Sequence, residues 1–205
     1  IVVTVGPGLS VSLVVGISAA KALSSVLDIP TVGVNHLEGH LLANMLGRTE
    51  IKYPAVCLLV SGGHTEIILV KQTGEYEKLG GTVDDAAGEA FDKVARLLDL
   101  GYPGGPAIQK AAKSGDPAKI KFPRPMIHEN NLNMSFSGLK TAVLNYTKKH
   151  GEKIGKAITV EDIAASFQES VVDLLAQKTI NAAESAGAGE IWLAGGVAAN
   201  RSLRD

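Results

Sequence analysis

Apolar runs and helical patterns alternate over the first fifty residues of the chain. Residues 1–5 form an apolar run that predicts a buried strand, ended by a Gly-Pro-Gly turn. Small and aliphatic residues predict a helix over 10–27, and residues 31–34 predict a second strand. Asn35 is a suitable N-cap for a helix to about residue 46. A strand, a helix and a second strand in such short order predict parallel pairing through a crossover helix.

The pattern changes at Tyr53-Pro54, where we place the boundary between a first lobe, residues 1–53, and a second lobe, residues 54–205. The linker Ser61-Gly62-Gly63-His64 separates two strongly apolar runs and predicts a hairpin. Three strands are predicted in this part of the second lobe, at residues 55–60, 66–70 and 76–80.

Helical patterns dominate the remainder of the second lobe. Asp84 is expected to open a helix, because apolar residues then recur at spacings of three and four. Thr159 and Asp162 form a capping-box pattern at the start of a long helix. Residues 114–135 predict an irregular segment, 138–149 a helix and 190–194 a final strand before Gly195-Gly196.

Composition narrows the class of protein. Only 4% of the residues are aromatic, which favours closely packed α/β layers over an aromatic-rich sandwich. The formal net charge of −1 gives no global basic field, so charge alone does not indicate a nucleic-acid partner. Residues 148–156 hold four lysines and one glutamate, for which a solvated loop is the simpler interpretation.

Two further features concern cellular location. Cys57 is the only cysteine, which excludes an internal disulfide and fits a reducing cytoplasm; its apolar neighbours predict a buried side chain rather than a nucleophile. Residues 1–20 carry no charge, but a buried strand, turn and helix explain them better than a membrane span. Because the chain begins at Ile1 without methionine, we expect it to be a piece of a longer protein.

The sharpest chemical signal is the pair His36 and His40. Residues four apart project from one helix face, so both imidazoles could bind one divalent metal, with a third ligand from elsewhere. Glu38 lies about 200° around the helix from His36, which makes a metalloprotease mechanism geometrically poor. The alternative is that both histidines lie on the surface and bind no metal.

Two glycine-rich turns could bind an anion. Ser61-Gly62-Gly63 would bring backbone N–H groups towards a ligand, and Gly195-Gly196 joins a strand to a helix start near Asn200. Simple tight turns are the alternative interpretation. The carboxylates Asp85, Glu89 and Asp92, at i, i+4 and i+7, predict one acidic helix face that could be merely solvated.

The order of the two glycine turns resembles the nucleotide cleft of the actin, sugar-kinase and chaperone ATPase superfamily. More narrowly, eight segments in register over the whole chain resemble motifs of the TsaD family, its bacterial branch in particular. They are TVGPGL (4–9), HLEGH (36–40), VSGGHT (60–65), DDAAGEAFDK (84–93), YPGGP (102–106), FPRP (122–125), SFSGLKT (135–141) and GGVAANR (195–201).

This resemblance implies an actin-like (ASKHA, RNase H-like) two-lobed α/β fold with a truncated first lobe. It also implies site residues. His36 and His40 match metal ligands, and Gln109 and Glu89 are weaker candidates for substrate contacts. The residues that match nucleotide or substrate contacts are Leu59, Val60, Ser61, Gly62, Gly63, Asp92, Gly105 and Asn200. The resemblance further implies that the family's first phosphate-binding hairpin would precede Ile1 and that its aspartate metal ligand would follow Asp205.

The activity that the resemblance implies is transfer of threonylcarbamoyl from threonylcarbamoyl-AMP to N6 of the tRNA adenosine 3′ of the anticodon. It also implies one divalent metal, Fe(2+) or Zn(2+), an adenylate substrate or ATP, the partners TsaB and TsaE, a cytoplasmic location and no membrane. Two alternatives stay open: a small-molecule kinase of the same fold, and a non-catalytic TsaB-like scaffold, against which the histidine pair argues.

Overall fold

The computed structural model describes residues 1–151, 154–155 and 157–205. The chain divides into two compact units, Ile1–Thr49 and Glu50–Asp205, a few residues before the boundary expected at residue 53. Their assignment to two lobes stays a prediction. The basic stretch 148–156 lies partly outside the described residues.

The first unit contains two strands and two helices. Strands β1 (Val2–Gly6) and β2 (Val32–Asn35) pair in parallel, and helix α1 (Ser10–Leu27) connects them, which confirms the predicted crossover. Helix α2 (His36–Ala43) follows directly, and the Asn35 side chain caps it by accepting hydrogen bonds from the N–H groups of Leu37 and Glu38. The helix is shorter than expected because turns begin at Asn44.

The prediction that the first strand is buried is wrong for this chain, and the helix that follows is exposed as well. Among the described residues of the first unit, only Ala20 and Leu41 are buried. The exposed apolar side chains of α1 include Val11, Val14 and Val26. A two-stranded sheet has too little surface to cover a long apolar helix. With a mean hydropathy of 1.7, α1 is long and apolar enough to cross a membrane by length and composition alone.

The elements of the second unit are β3 (Ala55–Val60), β4 (Thr65–Gln72), β5 (Glu75–Gly81), α3 (Ala87–Leu97), α4 (Gly104–Ala112), α5 (Ser137–His150), α6 (Val160–Ala186), β6 (Glu190–Ala194), a 3₁₀ helix (Gly196–Ala199) and α7 (Arg201–Arg204). The four strands form one sheet with the order β5-β4-β3-β6. β3 pairs antiparallel with β4 and in parallel with β6, and β4 pairs antiparallel with β5. The predicted hairpin of β3 and β4 is therefore confirmed.

Strand β3 lies at the centre of the core. All six of its residues are buried, because β4 and β6 flank it and helices cover it. The rings of Phe91 on α3 and Phe167 on α6 meet edge to face at 5.3 Å within the same core. Burial raises the pKa of the Cys57 thiol to about 12, which confirms that Cys57 behaves as a buried apolar residue rather than a nucleophile.

The start of α3 differs from the sequence expectation. Asp84 does not open the helix, which begins at Ala87, where the N–H donates to the Thr65 hydroxyl at 2.9 Å. The Asp84 carboxylate instead accepts hydrogen bonds from the Phe136 and Ser137 N–H groups at the start of α5 (Ser137–His150). Asp84 therefore binds the start of α5, which is distant in sequence, and does not cap α3.

The capping box of α6 is confirmed. The Thr159 hydroxyl accepts from the Asp162 N–H at 3.0 Å, and the Asp162 carboxylate accepts from the Thr159 N–H at 3.0 Å. This reciprocal pair satisfies two backbone donors that the helix itself cannot.

We expect Thr159→Ala to lower the free energy of unfolding by about 1 kcal/mol, because one of these donors loses its acceptor. Urea denaturation monitored by circular dichroism measures this change. Thr159→Ser keeps the hydroxyl and serves as the control, with a smaller loss expected. Equal losses in both variants would contradict a capping role for the hydroxyl.

Candidate functional site

A cleft of about 360 Å³ opens in the second unit where the end of β3 meets α3, α4 and the 3₁₀ helix. Six of the residues singled out from the sequence line it, although they are scattered along the chain: Gly62, Asp92, Gly105, Gln109, Gly196 and Asn200. The remaining lining residues are Gly88, Phe91, Pro103, Pro106, Val197 and Ala199.

Three glycines set the walls of the cleft by letting backbones approach closely. A Cβ on Gly88 would lie 2.5 Å from the Ser61 carbonyl oxygen, and one on Gly104 would lie 2.4 Å from the Asp92 Cα. Gly195 has a φ of +91°, and a Cβ there would lie 2.4 Å from the Val60 carbonyl oxygen. No other residue fits these positions without moving backbone.

Other glycines open onto space. A Cβ on Gly62, Gly105 or Gly196 would meet no described atom within 4 Å. Gly105 lies in the first turn of α4, where backbone N–H groups have no acceptor within the helix. No described residue accepts a hydrogen bond from the Gly62 or Gly105 N–H. The cleft therefore presents backbone donors beside the positive end of a helix dipole.

The turn after β3 is held by its own serine. The Ser61 hydroxyl accepts from the His64 N–H at 3.1 Å and more weakly from the Gly63 N–H at 3.4 Å. Ser61 and Gly63 do not line the cleft, and the side chains of Leu59 and Val60 are buried in the core. Of the residues that the sequence placed in this loop, Gly62 alone reaches the cleft.

Asp92 joins two walls of the cleft. Its Oδ1 accepts a 2.7 Å hydrogen bond from the Gly104 N–H at the start of α4. This bond satisfies a helix donor and holds α4 against α3. No described residue donates to the second carboxylate oxygen, which leaves it available at the cleft wall.

Asn200 and Gln109 line the cleft and each accepts a hydrogen bond from the backbone of α7. The Asn200 Nδ2 donates to the Gln168 Oε1 at 2.9 Å, and its Oδ1 accepts from the Leu203 N–H at 3.3 Å. The Gln109 Oε1 accepts from the Arg201 N–H at 2.7 Å. Both side chains thus cap the start of α7, while one Asn200 amide proton keeps no partner among the described residues.

The predicted acidic face of α3 is wrong. Asp85 lies before the helix and forms hydrogen bonds with Lys93 and Lys140, at 3.0 and 3.1 Å. Glu89 pairs with Lys93 on the exposed side and does not line the cleft. Of the three, Asp92 alone lines the cleft, because Asp85 precedes α3 and Glu89 is paired with Lys93 away from it.

The pKa of Asp85 reflects two opposing effects. Burial disfavours the charged carboxylate, but the ammonium groups of Lys93 and Lys140 outweigh burial and lower the pKa below its ordinary range. This cluster fastens α5 to the segment before α3. The sequence interpretation missed it and the Asp84 contact, although the adjacent aspartates of the DDAAGEAFDK motif were a signal.

The two candidate metal ligands lie in the first unit. The imidazole rings of His36 and His40 are 4.6 Å apart, on successive turns of α2. In the described part of the chain, no group of three or more His, Cys, Asp or Glu side chains is placed to hold a metal ion. The pair supplies only two ligands, and a metal site of this kind needs at least three. Metal binding at His36 and His40 therefore stays a prediction.

The close approach at Gly88 gives a testable contrast with the open position at Gly105. We expect Gly88→Ala to lower the free energy of unfolding by about 1–3 kcal/mol, because the methyl group would push the Ser61 carbonyl away. Gly105→Ala should change it by less than about 1 kcal/mol, since its methyl group enters open space. Urea denaturation of both variants tests this difference, and equal destabilisation would contradict the cleft geometry.

The Asp85 cluster predicts a pH-dependent contribution to stability. Since the folded-state pKa is lowered, the contribution is present above the ordinary carboxyl pKa and is lost as pH falls through the lowered value. Asp85→Asn should therefore cost about 1 kcal/mol near pH 7 and progressively less below about pH 4. Glu89→Gln is the exposed control and should cost less than about 0.5 kcal/mol. A pH-independent cost for Asp85→Asn would contradict the ion pairs.

Comparisons with known proteins cover the whole chain. The family model of TsaD, tRNA N6-adenosine threonylcarbamoyltransferase, matches residues 1–205. A protein of that name from Thermosipho africanus is 58% identical over 98% of this chain, and one from Clostridium botulinum is 54% identical over 99%. The chain spans about 60% of the length of these curated relatives.

A comparison with solved structures finds a similar fold in a protein of low sequence identity. The crystal structure of HypF from T. kodakarensis superposes with a TM-score of 0.70 at 16% identity, over 99% of this chain and 35% of that one. Together with the family match, this likeness confirms the predicted actin-like α/β fold class. The chain belongs to the TsaD family of tRNA N6-adenosine threonylcarbamoyltransferases.

Proposed function

We propose that the complete protein transfers threonylcarbamoyl from threonylcarbamoyl-AMP to N6 of the tRNA adenosine 3′ of the anticodon. The observation that carries the proposal is the cleft of the second unit. It gathers Gly62, Asp92, Gly105 and Asn200, which the family resemblance assigns to the nucleotide, around one cavity.

The nucleotide would bind along backbone and amide groups. Its phosphate would accept hydrogen bonds from the Gly62 and Gly105 N–H groups, beside the helix dipole of α4. The free oxygen of Asp92 would accept from a ribose hydroxyl, and the remaining amide proton of Asn200 would face the adenine end. A volume of about 360 Å³ lies within the range of small-molecule sites.

The reaction requires little covalent chemistry from the protein. The exocyclic amine attacks the carbamoyl carbon, the bond from that carbon to the phosphate oxygen breaks, and AMP departs as the amine loses a proton. Backbone N–H groups around Gly62 and Gly105 would stabilise the negative charge on the departing phosphate. Holding donor and acceptor together can contribute roughly 7–11 kcal/mol to lowering the barrier.

We extend the proposal to one divalent metal, Fe(2+) or Zn(2+), at His36 and His40. Imidazole is a suitable ligand for either ion, and the 4.6 Å ring separation fits two ligands of one ion. When bound, such an ion would polarise the threonylcarbamoyl carbonyl. The other ligands would come from outside the described residues.

The acceptor and partners complete the proposal. The adenosine lies in a single-stranded loop, where its base can leave the stack without melting a helix. As the family resemblance implies, TsaB and TsaE would act with the protein in the cytoplasm. With a net charge of −1 on this chain, tRNA affinity would depend on local lysines, on segments of the protein outside this chain or on these partners.

The test is nucleoside analysis by mass spectrometry of tRNA incubated with threonylcarbamoyl-AMP and the full-length protein with its partners. We expect threonylcarbamoyladenosine to form. Gly105→Ala should slow its formation roughly ten- to hundredfold, because the methyl group blocks a charge-assisted hydrogen bond. Absence of threonylcarbamoyladenosine would contradict the proposal. A phosphorylated small molecule in a parallel reaction that contains ATP would then favour the kinase alternative, and no product in either reaction would favour the scaffold alternative.

Gly138→Ala is the matched control, because Gly138 is also the second residue of a helix, α5, and its Cβ would meet Pro125 at an ordinary 3.7 Å. This variant should retain the full rate of product formation. An equal loss in both variants would mean that the effect at Gly105 does not come from the cleft.

A further inference from the structure

A second hollow of about 460 Å³ lies in the second unit, between the segment before Pro123 and the C-terminal half of α5. We call it the basic groove. None of its lining residues lines the nucleotide cleft. They are Lys119, Ile120, Lys121, Phe122, Pro123, Ala142, Asn145, Tyr146, Lys149 and His150.

The groove carries positive charge that the described acidic residues do not fully compensate. Lys121 and Lys149 are exposed, and neither forms an ion pair with a residue that the structure describes. Lys119 is partly compensated, since its charge acts on the carboxylate of Asp162. Asp162 also acts on Tyr146, whose pKa is raised by burial and by that negative charge.

The charge does not extend far beyond the groove. An adjoining hollow of about 330 Å³ shares Ile120 and Lys121 with it, but its other charged groups are Arg124 and Glu169. Arg124 forms hydrogen bonds with Asp173 through two of its nitrogens. The cations available to an anionic ligand are therefore Lys121 and Lys149, with Lys119 as a weaker third.

One wall of the groove is aromatic. The rings of Tyr146 and His150 lie 4.6 Å apart at an interplanar angle of 37°, and Phe122 supports Tyr146 edge to face at 5.6 Å. Phe122 is buried, whereas Tyr146 and His150 are half-buried and line the groove. Tyrosine and histidine rings are surfaces on which unstacked bases bind in single-stranded RNA.

We propose that the basic groove binds a single-stranded or loop segment of RNA, with phosphates at Lys121 and Lys149 and a base against the Tyr146–His150 wall. The inference rests on the proposed function, which makes tRNA the substrate. Lysines alone would suit any polyanion. An aromatic wall beside them favours RNA over an acidic peptide, which has no base to stack.

The charge arm of the test uses Lys121→Ala/Lys149→Ala in the full-length protein and fluorescence anisotropy with labelled, unmodified tRNA. Affinity should fall roughly tenfold at moderate salt. The slope of log affinity against log salt should decrease in magnitude by about 1.4, or ~0.7 per lost single-strand phosphate contact. Unchanged affinity and slope would overturn the proposal.

Lys71→Ala/Lys78→Ala is the matched charge control. Both lysines are exposed in the hairpin of β4 and β5. The variant therefore removes two positive charges, as many as the groove variant does, from a different place. Its tRNA affinity should stay within about twofold of the parent protein. An equal loss in both double variants would show a general charge effect and overturn a groove-specific site.

The aromatic arm separates RNA from other polyanions. Tyr146→Leu keeps apolar packing on Phe122 but removes the ring, and thermal unfolding verifies that the variant is folded. It should weaken binding of polyuridylate severalfold and leave binding of inorganic polyphosphate unchanged, whereas Tyr146→Phe should bind both normally. Equal loss for both ligands, or competition by polyglutamate as strong as by RNA, would overturn the RNA assignment.

Nucleoside analysis keeps the two proposals distinguishable. If the parent protein forms threonylcarbamoyladenosine while the groove variants bind tRNA normally, the groove inference fails and the proposed function stands. If the groove variants lose RNA binding but the parent forms no such product, the groove stands as an RNA site and the proposed function fails.

Discussion

The close contact of backbone with backbone at three glycines shapes the walls of the cleft in the second unit. Gly88 lets α3 approach the turn after β3, Gly104 lets α4 approach α3, and Gly195 lets the chain after β6 pass the end of β3. Each contact would place a Cβ within about 2.5 Å of backbone atoms, which no side chain tolerates. The cleft exists because these three approaches converge on one point.

The walls of the cleft are held mainly by contacts that side chains make with backbone. Asp92 accepts from Gly104, Asn200 from Leu203 and Gln109 from Arg201, so these polar groups fix helix starts as well as facing the cavity. The backbone N–H groups of Gly62 and Gly105 have no hydrogen-bond acceptor among the described residues. A site built from fixed backbone donors requires little reorganisation when an anion binds.

Local patterns predicted much of this fold. The capping box at Thr159, the N-cap at Asn35 and the hairpin after Val60 each depend on residues close in sequence, and each is present. The prediction that Asp84 opens α3 was wrong, because the Asp84 carboxylate accepts hydrogen bonds from Phe136 and Ser137 instead. These residues are about fifty positions away, and no local sequence pattern indicates such a contact.

Burial and site geometry were harder to predict. An uncharged run predicts burial only if other elements cover it, and a two-stranded sheet in the first unit leaves α1 exposed. For the site, Asp92, Gly105 and Asn200, which motif resemblance assigned to the nucleotide, line one cavity, and their role in binding stays a prediction. It did not show that Asn200 and Gln109 also cap α7, since those bonds depend on the fold.

The most direct test of the central claim is a crystal structure of the full-length protein with AMP. The account predicts that the phosphate lies within about 3 Å of the Gly62 or Gly105 backbone nitrogen, with the base towards Asn200. AMP bound at another place, with the cleft free of nucleotide, would contradict it.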